Sequence, residues 1–94
     1  MIHRVARMKL KNPSEANAVM EEARRVFPAL SGVVGFSAGL ITYPPDSEYD
    51  ICLLIDLQNE DKIESYRMSP GHRAFVDDFL RPKLEKMNIF NVEL

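Results

Sequence analysis

The chain has 94 residues, of which 46% are hydrophobic and 28% charged, and its formal net charge is −2. This length predicts a single domain, residues 1–94, whose one hydrophobic core needs no metal or disulfide. Acidic and basic residues are interspersed without a basic stripe, which argues against nucleic-acid binding. No apolar run approaches the roughly 20 residues of a membrane span.

The residue types that usually form metal or redox sites are scarce. Cys52 is the only cysteine and lies in the apolar run ICLLI, so we predict a small buried side chain rather than a nucleophile. The two histidines are far apart in sequence and lack zinc-ligand spacing. We therefore predict no metal and no cofactor. The opening MIHRVARMKLK is too charged for a signal peptide, and we expect a cytoplasmic location.

The first predicted elements are a strand and a helix. Residues 2–10 alternate with period two, which places Arg4 and Ala6 on one face. Residues 12–30 change to helical spacing, with Ser14 as the predicted cap and Pro28 near the end. The apolar stripe of this helix comprises Ala16, Val19, Met20, Ala23, Val26 and Phe27.

Two strands are predicted next. Residues 31–43 are rich in β-branched and aromatic side chains, and Gly35 and Gly39 indicate a bend or bulge. Residues 49–57 form the clearest strand, which is apolar on both faces and therefore expected to be central in its sheet. One of its faces carries Ile51, Leu53, Ile55 and Leu57, and the other carries Cys52 and Leu54.

The C-terminal part predicts two helices and a last strand. Asn59 is suited to cap a short helix through residue 68, and Ser69 a second one that has Pro70 at its first position. Residues 88–94 then form a strand. The order β-α-β-β-α-α-β is that of a ferredoxin-like α+β fold, with helices on one face of a four-stranded antiparallel sheet. Since the other face is open and partly apolar, we expect a homodimer through that face.

The stretch SYRMSPGHRAFVDDFLRP, residues 65–82, contains the candidate site. His72 falls on the apolar stripe of its helix, in the first turn, where burial and the helix dipole both favour a neutral ring. Tyr66 precedes the tight corner and could reach the same space. A neutral imidazole beside a phenol suits a general base with an oxyanion donor. A buried histidine bonded only to a backbone carbonyl is the alternative, and these residues alone favour it by about two to one.

Several segments together resemble the stress-responsive dimeric α/β-barrel (Dabb) family. They are the opening MIHRVARMKLK, VVGFSAG after the first helix, YDICLLIDL, and above all YRMSPGHRAFVDDFLRP. The last is similar to the family's tyrosine, His-Pro-x-His corner and apolar helix ending in Arg-Pro. The resemblance implies a ferredoxin-like protomer whose sheet pairs with its twin to form a dimeric α/β barrel.

The resemblance also implies a function. Cofactor-free polyketide cyclases of the family use a pocket between sheet and helices, with a tyrosine and a histidine that match Tyr66 and His72. The implied protein is a small homodimer that binds an apolar or aromatic metabolite, either with or without proton-transfer catalysis. A stress-related dimer without ligand and a monooxygenase-like or isomerase-like barrel are the alternatives. The expected pocket lining is Arg4, Ala6, Met20, Ile51, Leu53, Tyr66, His72, Phe75 and Phe79.

Two positions depart from the family pattern. Ser69 stands where the family corner has its first histidine. In the first strand the chain reads His3-Arg4, so that Arg4 takes the inward position of the family's histidine. Arg4 then either binds an anionic ligand group or extends its charge to water at the strand end, and its nearness to the terminus favours the second interpretation.

Overall fold

The computed structural model describes residues 1–45 and 47–94, and its central element is a four-stranded antiparallel sheet. The strands are β1 (Ile2–Leu10), β2 (Val33–Leu40), β3 (Ile51–Leu57) and β4 (Leu84–Glu93). Their order in the sheet is β2-β3-β1-β4. The ferredoxin-like α+β fold expected from the element order is confirmed.

Helices cover one face of this sheet. They are α1 (Ala16–Val26), α2 (Lys62–Met68) and α3 (Pro70–Arg73), and α3 continues directly as a π-helix over Ala74–Leu80. Short 3-10 turns occupy Pro13–Glu15, Phe27–Ala29 and Arg81–Lys83. No helix in the described part of the chain is long and apolar enough to cross a membrane.

The face of the sheet beneath the helices, here called the inner face, holds the core. Alternate residues of the two central strands point toward the helices, and all of them except Arg4 are at most 4% exposed. These core residues are Ile2, Ala6, Met8, Leu10, Ile51, Leu53, Ile55 and Leu57. The predicted alternation of β1 and β3 is therefore confirmed. Arg4 shares this face but is only half-buried.

The opposite, outer face of the sheet has no covering layer among the described residues. Val5 pairs with Leu54 on one side and with Phe90 on the other, so that apolar side chains lie side by side. Leu54 on the central strand β3 and Phe90 on the edge strand β4 are 45% and 44% exposed, so large apolar side chains lie uncovered on this face. Cys52 is half-buried on the same face, and burial raises the pKa of its thiol, against the effect of the Arg7 cation.

Some predicted boundaries were wrong. β2 ends at Leu40 rather than at residue 43, although the predicted bulge is present between Val33 and Gly35. β4 begins at Leu84, four residues earlier than predicted, because Leu84 already pairs with Leu10 of β1. The polar alternation of LEKM hid this pairing in the sequence.

The predicted caps also need correction at two helices. The side chain of Asn12, not Ser14, accepts a hydrogen bond from the backbone at the start of the first helical segment. Asn59 caps the turn just before α2, where its Oδ1 accepts from Asp61 N at 3.0 Å. The Ser69 cap of α3 is confirmed, since its hydroxyl accepts from His72 N at 3.4 Å.

Replacing Ser69 by alanine should therefore destabilise the protein more than replacing Ser14. We expect Ser69→Ala to cost about 1 kcal/mol in the free energy of unfolding, because it removes an N-cap. Ser14→Ala should cost less than about 0.5 kcal/mol, because an exposed serine without a capping role contributes little. Urea unfolding measures both, and equal effects would contradict the assignment of the caps.

Candidate functional site

The corner between α2 and α3 brings Tyr66 and His72 together. Tyr66 lies in the last turns of α2 and His72 in the first turn of α3. Ser69 lies between them, and its hydroxyl donates to the Tyr66 carbonyl at 2.8 Å while accepting from His72 N. The two rings are 4.5 Å apart between centroids and tilted by 57°. The predicted pairing of these side chains is therefore present in the fold.

The hydrogen bond of the His72 ring defines its tautomer. Nδ1 lies 3.2 Å from the Arg67 carbonyl oxygen, which can only accept, so Nδ1 carries the proton. In the neutral ring Nε2 then keeps its lone pair. Burial lowers the pKa of His72, and the Arg4 and Arg67 cations act in the same direction. The Arg67 carbonyl and Asp77 oppose this shift of the pKa without reversing it.

Tyr66 is the largest side chain of the fully buried core. It is 1% exposed and packs near the Phe27 ring, with 6.2 Å between centroids. Burial raises the pKa of Tyr66 to about 12, although the nearby Arg4 cation favours the phenolate. The hydroxyl is therefore a proton donor at neutral pH.

Arg4 borders the same space from the sheet side. Its Cζ lies 5.9 Å from the centroid of the Tyr66 ring. Its Nη1 donates to the side-chain oxygen of Asn91 at 3.2 Å, across the β1–β4 pair. A cation, a phenol and a neutral imidazole thus surround one space between the sheet and the helices.

That space is a cavity of about 80 Å³. Its lining consists of Arg4, Ala6, Met8, Phe27, Leu53, Ile55, Tyr66, His72, Phe75, Val76, Leu80, Met87 and Ile89. It contains six of the nine residues expected from the sequence. Met20 and Ile51 belong to the core away from this cavity, and Phe79 lines a different cleft. The cavity is therefore displaced toward β4, through Met87 and Ile89, relative to the expected lining.

The cleft next to Phe79 is larger, about 530 Å³, and lies between the end of α1 and the start of α3. It is open to solvent and lined mostly by helix surfaces. Its charged residues, Glu22 and Arg25, already form an ion pair with each other. The cleft is therefore large, but its lining brings together no acid and base that could act on a ligand.

Several residues at or beside the cavity were not predicted from the sequence. Met87 and Ile89 line it from β4, where they pair with Met8 and Ala6. The predicted start of the last strand at residue 88 excluded Met87. Asn91 was missed because its role depends on the register that sets it opposite Arg4. An earlier strand start was needed only for Met87, because residues 89 and 91 already lay within the predicted strand and share its alternation.

No group of three His, Cys, Asp or Glu side chains that could hold a metal ion occurs among the residues described. The polar groups at the cavity are instead one guanidinium, one phenol and one imidazole. These groups can bind a polar organic ligand, donate a hydrogen bond and accept a proton.

Comparison with known proteins gives a family match and a set of structural neighbours. The family model "Stress responsive A/B Barrel Domain" matches residues 2–94. No curated protein matches the chain.

Three solved structures illustrate the neighbours. A Dabb family protein with a ferredoxin-like fold from Mesorhizobium loti is 24% identical, with a TM-score of 0.87 over 99% of this chain and 95% of that chain. A dimeric ferredoxin-like protein of unknown function from Thermobifida fusca is 21% identical, with a TM-score of 0.84 and coverage of 99% and 90%. The hydroxynitrile lyase from Passiflora edulis is 11% identical, with a TM-score of 0.82 and coverage of 99% and 92%. At these identities the likeness shows the fold alone.

The buried phenol gives a direct test of the site's electrostatics. We expect Tyr66 to titrate with a pKa of about 12, because burial disfavours the phenolate. The difference in tyrosinate absorbance between the parent protein and Tyr66→Phe isolates this group during an alkaline titration. A difference spectrum with a midpoint near 10 would contradict the buried environment of the phenol.

Proposed function

This chain belongs to the stress-responsive A/B barrel domain family, and from that membership we propose that it is a homodimer that binds a small organic metabolite and transfers a proton on it without a cofactor. The observation that carries the proposal is the pairing of Tyr66 with His72 at a cavity. The buried phenol of Tyr66 lies beside the Arg4 cation and stays protonated at neutral pH, and Nε2 of His72 keeps its lone pair.

His72 is the proposed base. In the neutral tautomer with Nδ1 bonded to Arg67, Nε2 can accept a proton from a C–H bond next to a substrate carbonyl. The electron pair of that bond moves into the carbonyl and leaves an enolate oxygen. The imidazolium then returns the proton to the product. The reaction needs no oxidant or reductant.

Tyr66 is the proposed oxyanion donor. Its hydroxyl is protonated at neutral pH because burial raises its pKa to about 12. A hydrogen bond from this hydroxyl is strongest when the substrate oxygen carries negative charge, which favours the transition state over the ground state. The low polarity of the surrounding core strengthens this interaction.

A structural role for the His72 ring supports a second, non-catalytic candidate. Nδ1 bonds to a backbone carbonyl, and the ring lies edge-on to Phe27 at 6.1 Å between centroids. Both contacts stabilise the corner without any ligand. In this second candidate the protein is a stress-related or structural dimer, and the cavity has no reaction to perform.

A mutant pair separates the two candidates. We expect His72→Phe to fold and to lose proton transfer, and Tyr66→Phe to lose a factor on the order of 10²–10³ in rate. The assay follows exchange in D₂O of the C–H protons next to the carbonyl group by NMR, with small ketones and 3-oxo acids as candidate substrates. Hydroxynitriles are tested separately for cleavage, in which the base takes the O–H proton, the C–CN bond breaks, and cyanide and a carbonyl compound are released. Hydroxynitriles are included because one neighbour of the same fold is a hydroxynitrile lyase.

Tyr49→Phe is the matched control. Tyr49 stacks on Arg7, 4.5 Å from its Cζ to the ring centroid, and does not line the cavity. Its replacement should leave the exchange rate unchanged. Two folded cavity variants with full activity, or no exchange in any substrate above the protein-free rate, would exclude the catalytic proposal.

The pH dependence follows from the neutral base. Proton transfer should fall as the pH drops through the pKa of His72, which burial places below 6.5. The decrease in rate should fit the titration of a single group, because one imidazole is protonated. Initial rates between pH 4.5 and 8 measure this. A rate that rises on acidification through this range would contradict a role for the neutral ring.

The proposed dimer uses the outer face of the sheet. Val5, Leu54, Phe90 and Val92 form an apolar surface there, and the solved structures with a similar fold include dimeric ferredoxin-like proteins. Packing a second copy against this surface would remove the exposed area of these side chains from water. The pairing would also cover Cys52.

Charge introduced into this surface should dissociate the dimer. We expect Leu54→Asp to be monomeric at micromolar concentration, because burying an unpaired carboxylate is costly. Met68→Asp should remain dimeric, because Met68 is 56% exposed on α2, away from the sheet. Sedimentation velocity compares the two variants with the parent. A monomeric parent protein, or a dimeric Leu54→Asp variant, would contradict the proposed interface.

A further inference from the structure

The charge of the cavity indicates which metabolites it can accept. Arg4 is the only residue of the lining that is charged at neutral pH, since burial keeps His72 neutral and Tyr66 protonated. The lining contains no aspartate or glutamate. The cavity therefore carries one uncompensated positive charge in an otherwise apolar surface.

Arg4 has unused hydrogen-bonding capacity. A guanidinium has five N–H donors, and two neighbours of Arg4, the side-chain oxygen of Asn91 and the Tyr66 hydroxyl, are both neutral. Within the described residues, no carboxylate lies within 4.0 Å of Arg4, Arg7 or Arg24, whereas the other four arginines each have such a partner. Of these three, Arg4 is the one that lines the cavity. The half-buried guanidinium of Arg4 therefore has donors to offer to an anionic group of a ligand.

Arg4 lies near the N-terminus, but its strand is in the middle of the sheet and its side chain borders the cavity. It pairs with Ile55 of β3 and with Asn91 of β4, so that strands flank it on both sides. Its side chain lies on the inner face, and its guanidinium is 5.9 Å from the Tyr66 ring. A ligand group at this end of the cavity would meet both the guanidinium and the phenol.

The size of the cavity limits the ligand. Its volume of about 80 Å³ corresponds to roughly five to eight water-sized positions at about 10–15 Å³ each. Phe27, Phe75 and Val76 supply apolar walls. A short hydrocarbon chain with one anionic end matches both the volume and the distribution of polarity.

We propose that the ligand of this site is a short-chain organic acid bound as its carboxylate, with Arg4 as the ion-pair partner and the Tyr66 hydroxyl as a further donor. This inference rests on the proposed function, because it names the class of metabolite that the same cavity binds. The planar guanidinium fits a carboxylate in a bidentate arrangement. Asn91 positions the guanidinium without neutralising it.

The experiment uses butanoate as the probe and butanamide as its neutral isostere. Both are titrated into the ¹⁵N-labelled protein at pH 7 and constant ionic strength, and the backbone amide shifts of Arg4, Tyr66 and His72 are followed by NMR. We expect saturable shifts with butanoate and at least tenfold weaker binding of butanamide. Arg4→Gln should lower butanoate affinity at least tenfold, and Arg4→Lys should lower it less.

Two further variants make the test independent of a failure of Arg4→Gln to fold. Asn91→Asp places an internal carboxylate beside Arg4, on an exposed position, and should weaken butanoate binding while leaving butanamide unaffected. Arg7→Gln is the matched control, because Arg7 lies on the same strand but on the outer face, where it donates to Asn88 at 2.7 Å. It should bind butanoate like the parent.

The outcomes separate the two proposals. Equal binding of amide and carboxylate at these residues, or unchanged butanoate affinity in both Arg4→Gln and Asn91→Asp, would overturn the organic-acid inference and leave the metabolite site intact. Saturable shifts from neither probe would overturn the inference and the metabolite site together. If Arg7→Gln lowered the affinity for butanoate as much as Arg4→Gln, the organic-acid inference would also be overturned, because the effect would then reflect the net charge of the protein.

Discussion

The structure depends on one constraint: a single layer of helices covers one face of a sheet whose other face is also partly apolar. On the inner face, alternate residues of β1 and β3 meet α1 and the helices around residues 62–80, and their burial supplies the core. A polar side chain on this face must find a partner or a cavity. Arg4 is the one charged side chain among the inner-face residues of the two central strands, and the cavity lies beside it.

The helix corner places Tyr66 and His72 at that cavity through backbone hydrogen bonding. The last carbonyls of any helix lack intrahelical partners. At the end of α2, the Tyr66 carbonyl accepts from the Ser69 hydroxyl and the Arg67 carbonyl accepts from the His72 ring. Structural and chemical roles of His72 are therefore compatible, because one ring nitrogen satisfies the helix end and the other keeps its lone pair. Ser69 caps α3 at this corner and carries no acid or base group, so the proposed base at the corner is His72.

Much of the fold was predictable because local rules agree with the tertiary arrangement. Period-two alternation in β1 and β3 identified the inner face, and the Ser69-Pro70 signal identified the start of α3. Other features depend on contacts that no local pattern reveals. The π-helix over Ala74–Leu80 shares its apolar spacing with an α-helix, and the cap at Asn12 competed with an equally suitable Ser14. The site was only partly predictable for the same reason. The apolar stripes of the helices predict that Met20 and Phe79 point to the interior, but the packing of the helices on the sheet determines whether such a residue lines the cavity, the core or another cleft.

The central claim is that His72 is neutral at pH 7 and keeps Nε2 available as a proton acceptor. Long-range ¹H–¹⁵N correlation of the imidazole in the unmodified protein measures this directly, because it distinguishes both tautomers and the imidazolium. The account predicts a protonated Nδ1 and an unprotonated Nε2 for His72. A doubly protonated ring, or a tautomer with the proton on Nε2, would contradict it.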